Sequence, residues 1–320
     1  MDNKFENEPV IINVDHLTKD YGYGRGVFDV SIKVHRGECY GYLGPNGAGK
    51  STTIRHIMGF SKTSVGKVQI NGEETFGNSE KILRSVGYLP GEPALPLYMN
   101  GWEFIHMMEE MRGNKNEEML NHLIDIFKFD PSMSIKEMSL GDKRKLAVVS
   151  AFMNDPDVLV LDEPTSGLDP IMQKVFIDFV IEEKKRGKTI LLSSHIFSEV
   201  DATCDTISII KDGKHVSTFK ANDLKNSEQQ TYILYFLDKE NLNLYLEKGK
   251  NFNIKNINKR SLTAEVEFNK KDYKVFFESL SGIKVKQFVE KPFTLQDYFM
   301  SFYKEEKEFG GLSGVKGNSK

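Results

Sequence analysis

The stretch GPNGAGKST, from Gly44 to Thr52, constrains this chain more than any other. It satisfies the pattern Gly, four residues, Gly-Lys-Ser/Thr, and lies between a strand-like run, ECYGYLG (38–44), and a helical one, KSTTIRHIMGF (50–60). Glycines let a backbone close around an anion until successive N–H groups converge, and the helix that follows adds favourable potential at its N-terminus. Such a loop cradles phosphate. Gly44, Pro45, Asn46, Gly47, Ala48 and Gly49 supply the backbone, Lys50 reaches β- and γ-phosphates, the Ser51 hydroxyl coordinates Mg²⁺, and Thr52 completes the motif.

A loop of this kind needs a sheet beneath it. Between residues 11 and 215, short β-rich runs alternate with helical patterns, which argues for an α/β fold with a largely parallel sheet flanked by helices. VLVLDE (158–163) and TILLSS (189–194) are continuous apolar or β-branched runs like 38–44, so all three read as buried strands. Each ends in polar residues, where an open α/β sheet places its ligand crevice. From about 93 to 137 the pattern turns helical. Asn100 can cap one helix, and Leu120, Leu123, Ile124 and Phe127 follow the amphipathic spacing of another. Met107, Met108 and Met111 are expected in the core. After about residue 222, TYILYFL (231–237), LTAEVEF (262–268) and YKVFF (273–277) read as strands, and a helix capped by Thr294 follows. The expected organisation is a main domain over 10–222, a small α+β domain over 223–308 and a disordered Gly/Ser/Lys-rich tail over 309–320.

Two further features bear on chemistry. VLVLDEP carries adjacent carboxylates, Asp162 and Glu163, which strand alternation would turn to opposite sides. One can then face the metal and the other the attacking water: Asp162 is assigned to Mg²⁺ and Glu163 to the water. His195 follows the strand TILLSS, within reach of a γ-phosphate if that strand neighbours the one ending at Asp162.

Composition narrows the setting. A net charge of −3 offers no electrostatic reason to expect nucleic acid, and two cysteines, Cys39 and Cys204, suit packed thiols in a reducing compartment. The N-terminal MDNKFENEPV has no basic segment or apolar core, so it reads as no secretory signal. No apolar run is long enough to span a bilayer, so a membrane role requires a partner.

Together these residues resemble the nucleotide-binding subunit of ABC transporters, over about 10–220. The phosphate loop, the strand ending in Asp162 and Glu163, the D-loop SGLD (166–169) with Asp169, and the switch histidine His195 occur in the family's order. Tyr21, ahead of Tyr23, has the spacing of the family's adenine-stacking residue. MSLGD (138–142) occupies the place of the signature LSGGQ, keeping Ser139 and Gly141 but carrying Leu140 and Asp142. The resemblance implies that Ser139, Leu140, Gly141, Asp142 and Asp169 act in trans, on ATP held by a second subunit. A serine cap with an acidic residue three positions on suits the purpose, since it exposes backbone donors. At the place of the Q-loop glutamine stands Gly91, followed by Glu92 as the candidate substitute.

The implied molecule is an ATPase using ATP and Mg²⁺, with Lys50, Glu163 and His195 catalytic. It would pair with a second ATPase subunit, identical or not, and power a separate transmembrane permease from the cytoplasmic face of the membrane. The single cassette, the YLPGE loop and an appendage ending FTLQDYF resemble exporter ATPases of the ABC-2, bacitracin- or drug-resistance type. Two rival uses follow from the same site: a soluble ABC ATPase acting on nucleic acid or ribosomes, and an ATP-dependent interaction module that hydrolyses little.

Overall fold

The computed structural model describes residue 5 and residues 7–225, 229–291 and 294–300. The tail over 309–320 lies outside the described residues. The chain forms two compact units, Met1–Ala221 and Asn222–Lys320.

The first unit begins with β1 (Val10–Asp20), β2 (Gly26–His35), β3 (Cys39–Leu43), α1 (Lys50–Ile57), β4 (Val65–Ile70) and β5 (Glu73–Glu74). It continues through α2 (Ser79–Ser85), β6 (Val86–Leu89), α3 (Gly101–Arg112), α4 (Glu117–Phe127), α5 (Leu140–Phe152) and β7 (Val158–Asp162). It closes with α6 (Pro170–Lys185), β8 (Thr189–Ser194), α7 (Phe197–Thr203), β9 (Thr206–Lys211) and β10 (Lys214–Lys220). A short helix, α8 (Ala221–Lys225), begins at the division between the units.

All ten strands belong to one sheet, ordered β5-β4-β1-β2-β10-β9-β3-β8-β7-β6. From β9 to β6 the pairing is parallel, whereas β1 pairs antiparallel with β2 and β4. Burial follows from this division. Every residue of β3, β7 and β8 is buried, as expected of strands covered on both faces, while β2 buries Val27, Val30, Ile32 and Val34 between more exposed neighbours. The phosphate loop, the carboxylates and His195 therefore leave the sheet at one edge, beyond the carboxyl ends of β3, β7 and β8.

The insert forms two helices. Asn100 Oδ1 accepts from the Glu103 amide at 2.9 Å, and Glu103 returns a carboxylate to the Asn100 amide at 2.8 Å. On α4, Leu120, Leu123 and Phe127 are buried. The methionines differ from expectation. Met107 and Met108 are half-buried and Met111 is 62% exposed, because their side of α3 borders a cavity instead of a packed neighbour.

The second unit contains β11 (Gln229–Phe236), α9 (Lys239–Lys248), β12 (Asn253–Asn258), β13 (Thr263–Asn269), α10 (Tyr273–Ser279) and β14 (Val285–Lys291). Its strands form an antiparallel sheet ordered β12-β13-β11-β14. YKVFF is a helix, not the strand expected. Tyr273, Phe276, Phe277 and Leu280 follow helical spacing, and Phe276 is fully buried with its ring 4.2 Å from that of Phe268 on β13. Tertiary burial thus outweighs the β preference of aromatic and branched residues. Thr294 caps the following turn, its Oγ1 accepting from the Asp297 amide at 3.1 Å.

Candidate functional site

The phosphate loop has the backbone that its glycines imply. Gly47 and Gly49 lie at φ 81° and 107°, the left-handed side of the map that branched side chains avoid. A Cβ at Gly44 would sit 2.4 Å from the Ile210 carbonyl oxygen, and one at Gly49 would sit 2.7 Å from Val27 Cγ1. Lys50 opens α1 and is buried, with Nζ donating to the carbonyls of Gly44 at 2.7 Å and Pro45 at 3.1 Å. Ser51 is exposed in the first turn, and Thr52 is half-buried beside it.

Nζ of Lys50 also meets Glu163 Oε1 at 2.9 Å, while Glu163 Oε2 meets His195 Nδ1 at 2.6 Å. One carboxylate thus joins a buried ammonium to a histidine that is 45% exposed, spanning the ends of β3, β7 and β8. The adjacent Asp162 is 3% exposed and accepts a hydrogen bond from Ser193 Oγ on β8.

The two carboxylates diverge for a reason other than strand alternation. β7 ends at Asp162, and Glu163 turns into the left-handed region at φ 48°. Its amide donates to the Ser193 carbonyl at 3.0 Å. A non-glycine residue in that region is costly by about 1 kcal/mol and persists where surroundings over-determine it.

Gly91 lies beside the same strand end. A Cβ there would stand 3.4 Å from Asp162 Oδ2, so the loop after β6 borders the carboxylate, while Glu92 is exposed. Ser139 caps α5 as expected, its Oγ accepting from the Asp142 amide at 3.1 Å and donating to the Asp142 carboxylate at 2.7 Å. Leu140 is 73% exposed, and a Cβ on Gly141 would lie 3.7 Å from the Gly167 carbonyl, so signature and D-loop are neighbours. Among the described residues, no hydrogen bond or ion pair links 139–142 to the phosphate loop, Glu163 or His195. Asp169 caps α6, accepting from the amides of Ile171 and Met172 at 2.9 and 3.0 Å. Tyr21 follows β1, is 54% exposed and lies 5.8 Å from the Lys19 ammonium, whereas Tyr23 projects fully into solvent.

Two residues near the site had no signal in the sequence. Arg144, in a run of basic residues that resembles a solvated helix face, is 2% exposed. Burial pulls its pKa down to about 10, against the pull of nearby Asp162, Glu199 and Glu163. Glu199, on α7, receives a hydrogen bond from Ser194 Oγ at 2.6 Å, and burial pushes its carboxyl up to about 7, the nearby Glu163 adding to the rise.

The donors suit Mg²⁺. A hydroxyl at Ser51 and a carboxylate at Asp162 are hard oxygen ligands, and no cluster of three or more His, Cys, Asp or Glu that could hold a metal occurs among the described residues. Nucleotide phosphates would complete the coordination.

The family model described as ABC transporter matches residues 27–166. The bacitracin transport ATP-binding protein BcrA of Bacillus licheniformis is 30% identical over 312 residues, covering 91% of this chain and 96% of its own. The chain belongs to the ABC transporter ATP-binding family. This cassette therefore binds ATP and is an ATPase, the ATP-binding subunit of a transporter. A Nod factor export ATP-binding protein I of Ralstonia nicotianae is 32% identical, over 68% of this chain and 70% of that one. The solved structure of an ATP-binding subunit of an ABC transporter is 31% identical with a TM-score of 0.62, covering 67% of this chain and 92% of its own. A dimeric ATP-binding cassette in a post-hydrolysis state, bound to ADP and Pi, is 20% identical with a TM-score of 0.58 over 66% of this chain and 99% of its own. It shares the fold.

Proposed function

We propose that this ATPase drives a separate membrane permease of the exporter type by closing, as a pair of cassettes, around two molecules of Mg-ATP. The observation that carries the reading is the separation within one chain. Lys50, Glu163 and His195 converge at the sheet edge, while the capped, exposed start of α5 makes no polar bond to them. Ser139 and Gly141 are then free to offer backbone donors to the γ-phosphate held by a second copy, with Leu140, Asp142 and Asp169 at the same seam. Tyr21 would stack on the adenine.

Lys50 leaves Glu163 to meet the β- and γ-phosphates, which frees the Glu163 carboxylate to polarise the attacking water, and His195 steadies the γ-phosphoryl group. Mg²⁺ held by Ser51 and Asp162 neutralises phosphate charge when bound. Because the closing contacts require the γ-phosphate, its loss reverses the closure.

No helix among the described residues is long and apolar enough to cross a membrane, in keeping with a separate permease and a peripheral position on the cytoplasmic face. A cavity of about 760 Å³ beside the Gly91 loop, lined by Leu83, Tyr88, Pro96, Met107, Met108 and Met111, is the surface on which the permease would dock. The export reading is supported by resemblance to the bacitracin transport and Nod factor export proteins. The unit from Asn222 onward is proposed as an accessory packing or dimer-stabilising module.

The test is purification of the Glu163→Gln variant from detergent-solubilised membranes with Mg-ATP. A transporter subunit should elute as a pair and bring down a hydrophobic protein. RNA in its place would favour the ribosomal alternative, and equal, negligible turnover of wild type and variant would favour the interaction module. A strictly monomeric variant with ATP bound would overturn the paired arrangement.

A further inference from the structure

Arg144 is a fully enclosed cation whose nearest polar partners are all carbonyl oxygens. Nε donates to Pro164 at 2.9 Å, one terminal nitrogen to Pro90 at 2.6 Å and Gly91 at 3.0 Å, and the other to Asp162 at 3.1 Å and Glu163 at 2.5 Å. A guanidinium has five N–H donors, so the donor set is fully used. Three acceptors are consecutive and bracket Glu163. The other two belong to the loop after β6, and Arg144 itself stands on α5, the helix that starts at Ser139.

The clamp closes on a backbone unit held in a costly conformation. Glu163 occupies the left-handed region, and its carboxylate direction follows from that turn. Ser193 grips the Glu163 amide and Arg144 grips its carbonyl, so the peptide units on both sides are fixed from different elements.

We propose that Arg144 is a positioning residue for hydrolysis: by clamping the carbonyls around Glu163 from α5, it aims the Glu163 carboxylate at the water beside the γ-phosphate. This deepens the function proposed above and rests on Glu163 as the group that polarises the water. Lysine cannot replace the clamp, because its three donors radiate from one point and do not span five carbonyls in a plane. The position of the base in one cassette thereby depends on the helix whose N-terminus faces the other cassette.

The test uses the full chain and five variants: R144K, R144Q, E163Q, R144K/E163Q and R144Q/E163Q. Single-turnover hydrolysis of Mg-ATP gives the chemical step, and equilibrium titration gives ATP affinity. R144K and R144Q should each lower the hydrolysis rate about tenfold or more and leave ATP affinity within about threefold, since a group that only aims the base acts in the transition state. In the E163Q background R144K should cost nothing further, within about twofold, because the aimed group is already gone. R144Q is read in the same way, so an unfolded R144K leaves the comparison intact. Wild-type hydrolysis in the Arg144 variants, an equal loss in both backgrounds, or affinity falling in step with rate would overturn the proposal. E163Q with wild-type turnover would overturn the reading of Glu163 and this proposal with it, whereas additive losses overturn this proposal alone.

Discussion

Replacing Lys50 with methionine isolates the ammonium while keeping much of the apolar stem. Nζ bonds two carbonyls at 2.7 and 3.1 Å and pairs with Glu163 at 2.9 Å. On binding, Nζ leaves Glu163 for phosphate oxygens. Two hydrogen bonds between charged groups contribute about 1.5–3 kcal/mol each, or about 3–6 kcal/mol together. The exchange is offset by the Lys50 pair with Glu163, taken as about 1 kcal/mol because desolvation cancels most of the attraction between two largely buried charges. The net loss in Lys50→Met is about 2–5 kcal/mol, a weakening of ATP affinity of roughly 30-fold to 5,000-fold. The same argument fixes the sign of a second variant. Glu163→Gln removes the competing carboxylate, so ATP should bind more tightly, by up to about fivefold for 1 kcal/mol. Isothermal titration with Mg-ATP on folded variants, checked by thermal melting, measures both. Lys50→Met within about threefold of wild type, or a weaker Glu163→Gln, would refute the exchange.

Further outcomes follow from other parts of the fold. Glu199 titrates at about 7 in the folded chain against 4.5 for an unperturbed carboxyl, so the folded state holds its proton more tightly. That contribution is fully present below pH 4.5 and is lost as pH rises towards 7, by about 3 kcal/mol over the window. Urea midpoints of wild type against Glu199→Gln should diverge with this slope, and parallel curves would contradict it. Asn100→Ala removes a reciprocal cap and should lower stability by about 1 kcal/mol in denaturant titration. Cys39 and Cys204 are buried free thiols with sulfurs 3.8 Å apart, so a thiol-specific reagent should label neither until denaturant is added. Rapid labelling of the native chain would count against that packing.

Much of the fold was legible because its signals are local. Gly44, Gly47 and Gly49 advertise a loop that excludes side chains, Asn100 and Ser139 advertise helix starts, and the runs at 38–44, 158–163 and 189–194 advertise strands buried on both faces. Their order also placed Lys50, Asp162, Glu163 and His195 at one sheet edge. Each of these depends on residues within a few positions, where backbone sterics and capping act.

What the chain could not announce depends on partners far along it. YKVFF became a helix because Phe276 stacks on Phe268 across the second unit, and Met111 stayed exposed because its side of α3 borders a cavity. The direction of Glu163 was likewise a tertiary decision. Strand alternation suggested divergence from Asp162, but the turn at φ 48° is held by Ser193 on β8 and Arg144 on α5, 30 and 19 residues away in sequence. The amino-acid order specified which groups come together at the sheet edge. Only the folded arrangement set where the carboxylate points, because that is fixed by hydrogen bonds converging from elements that the sequence keeps apart.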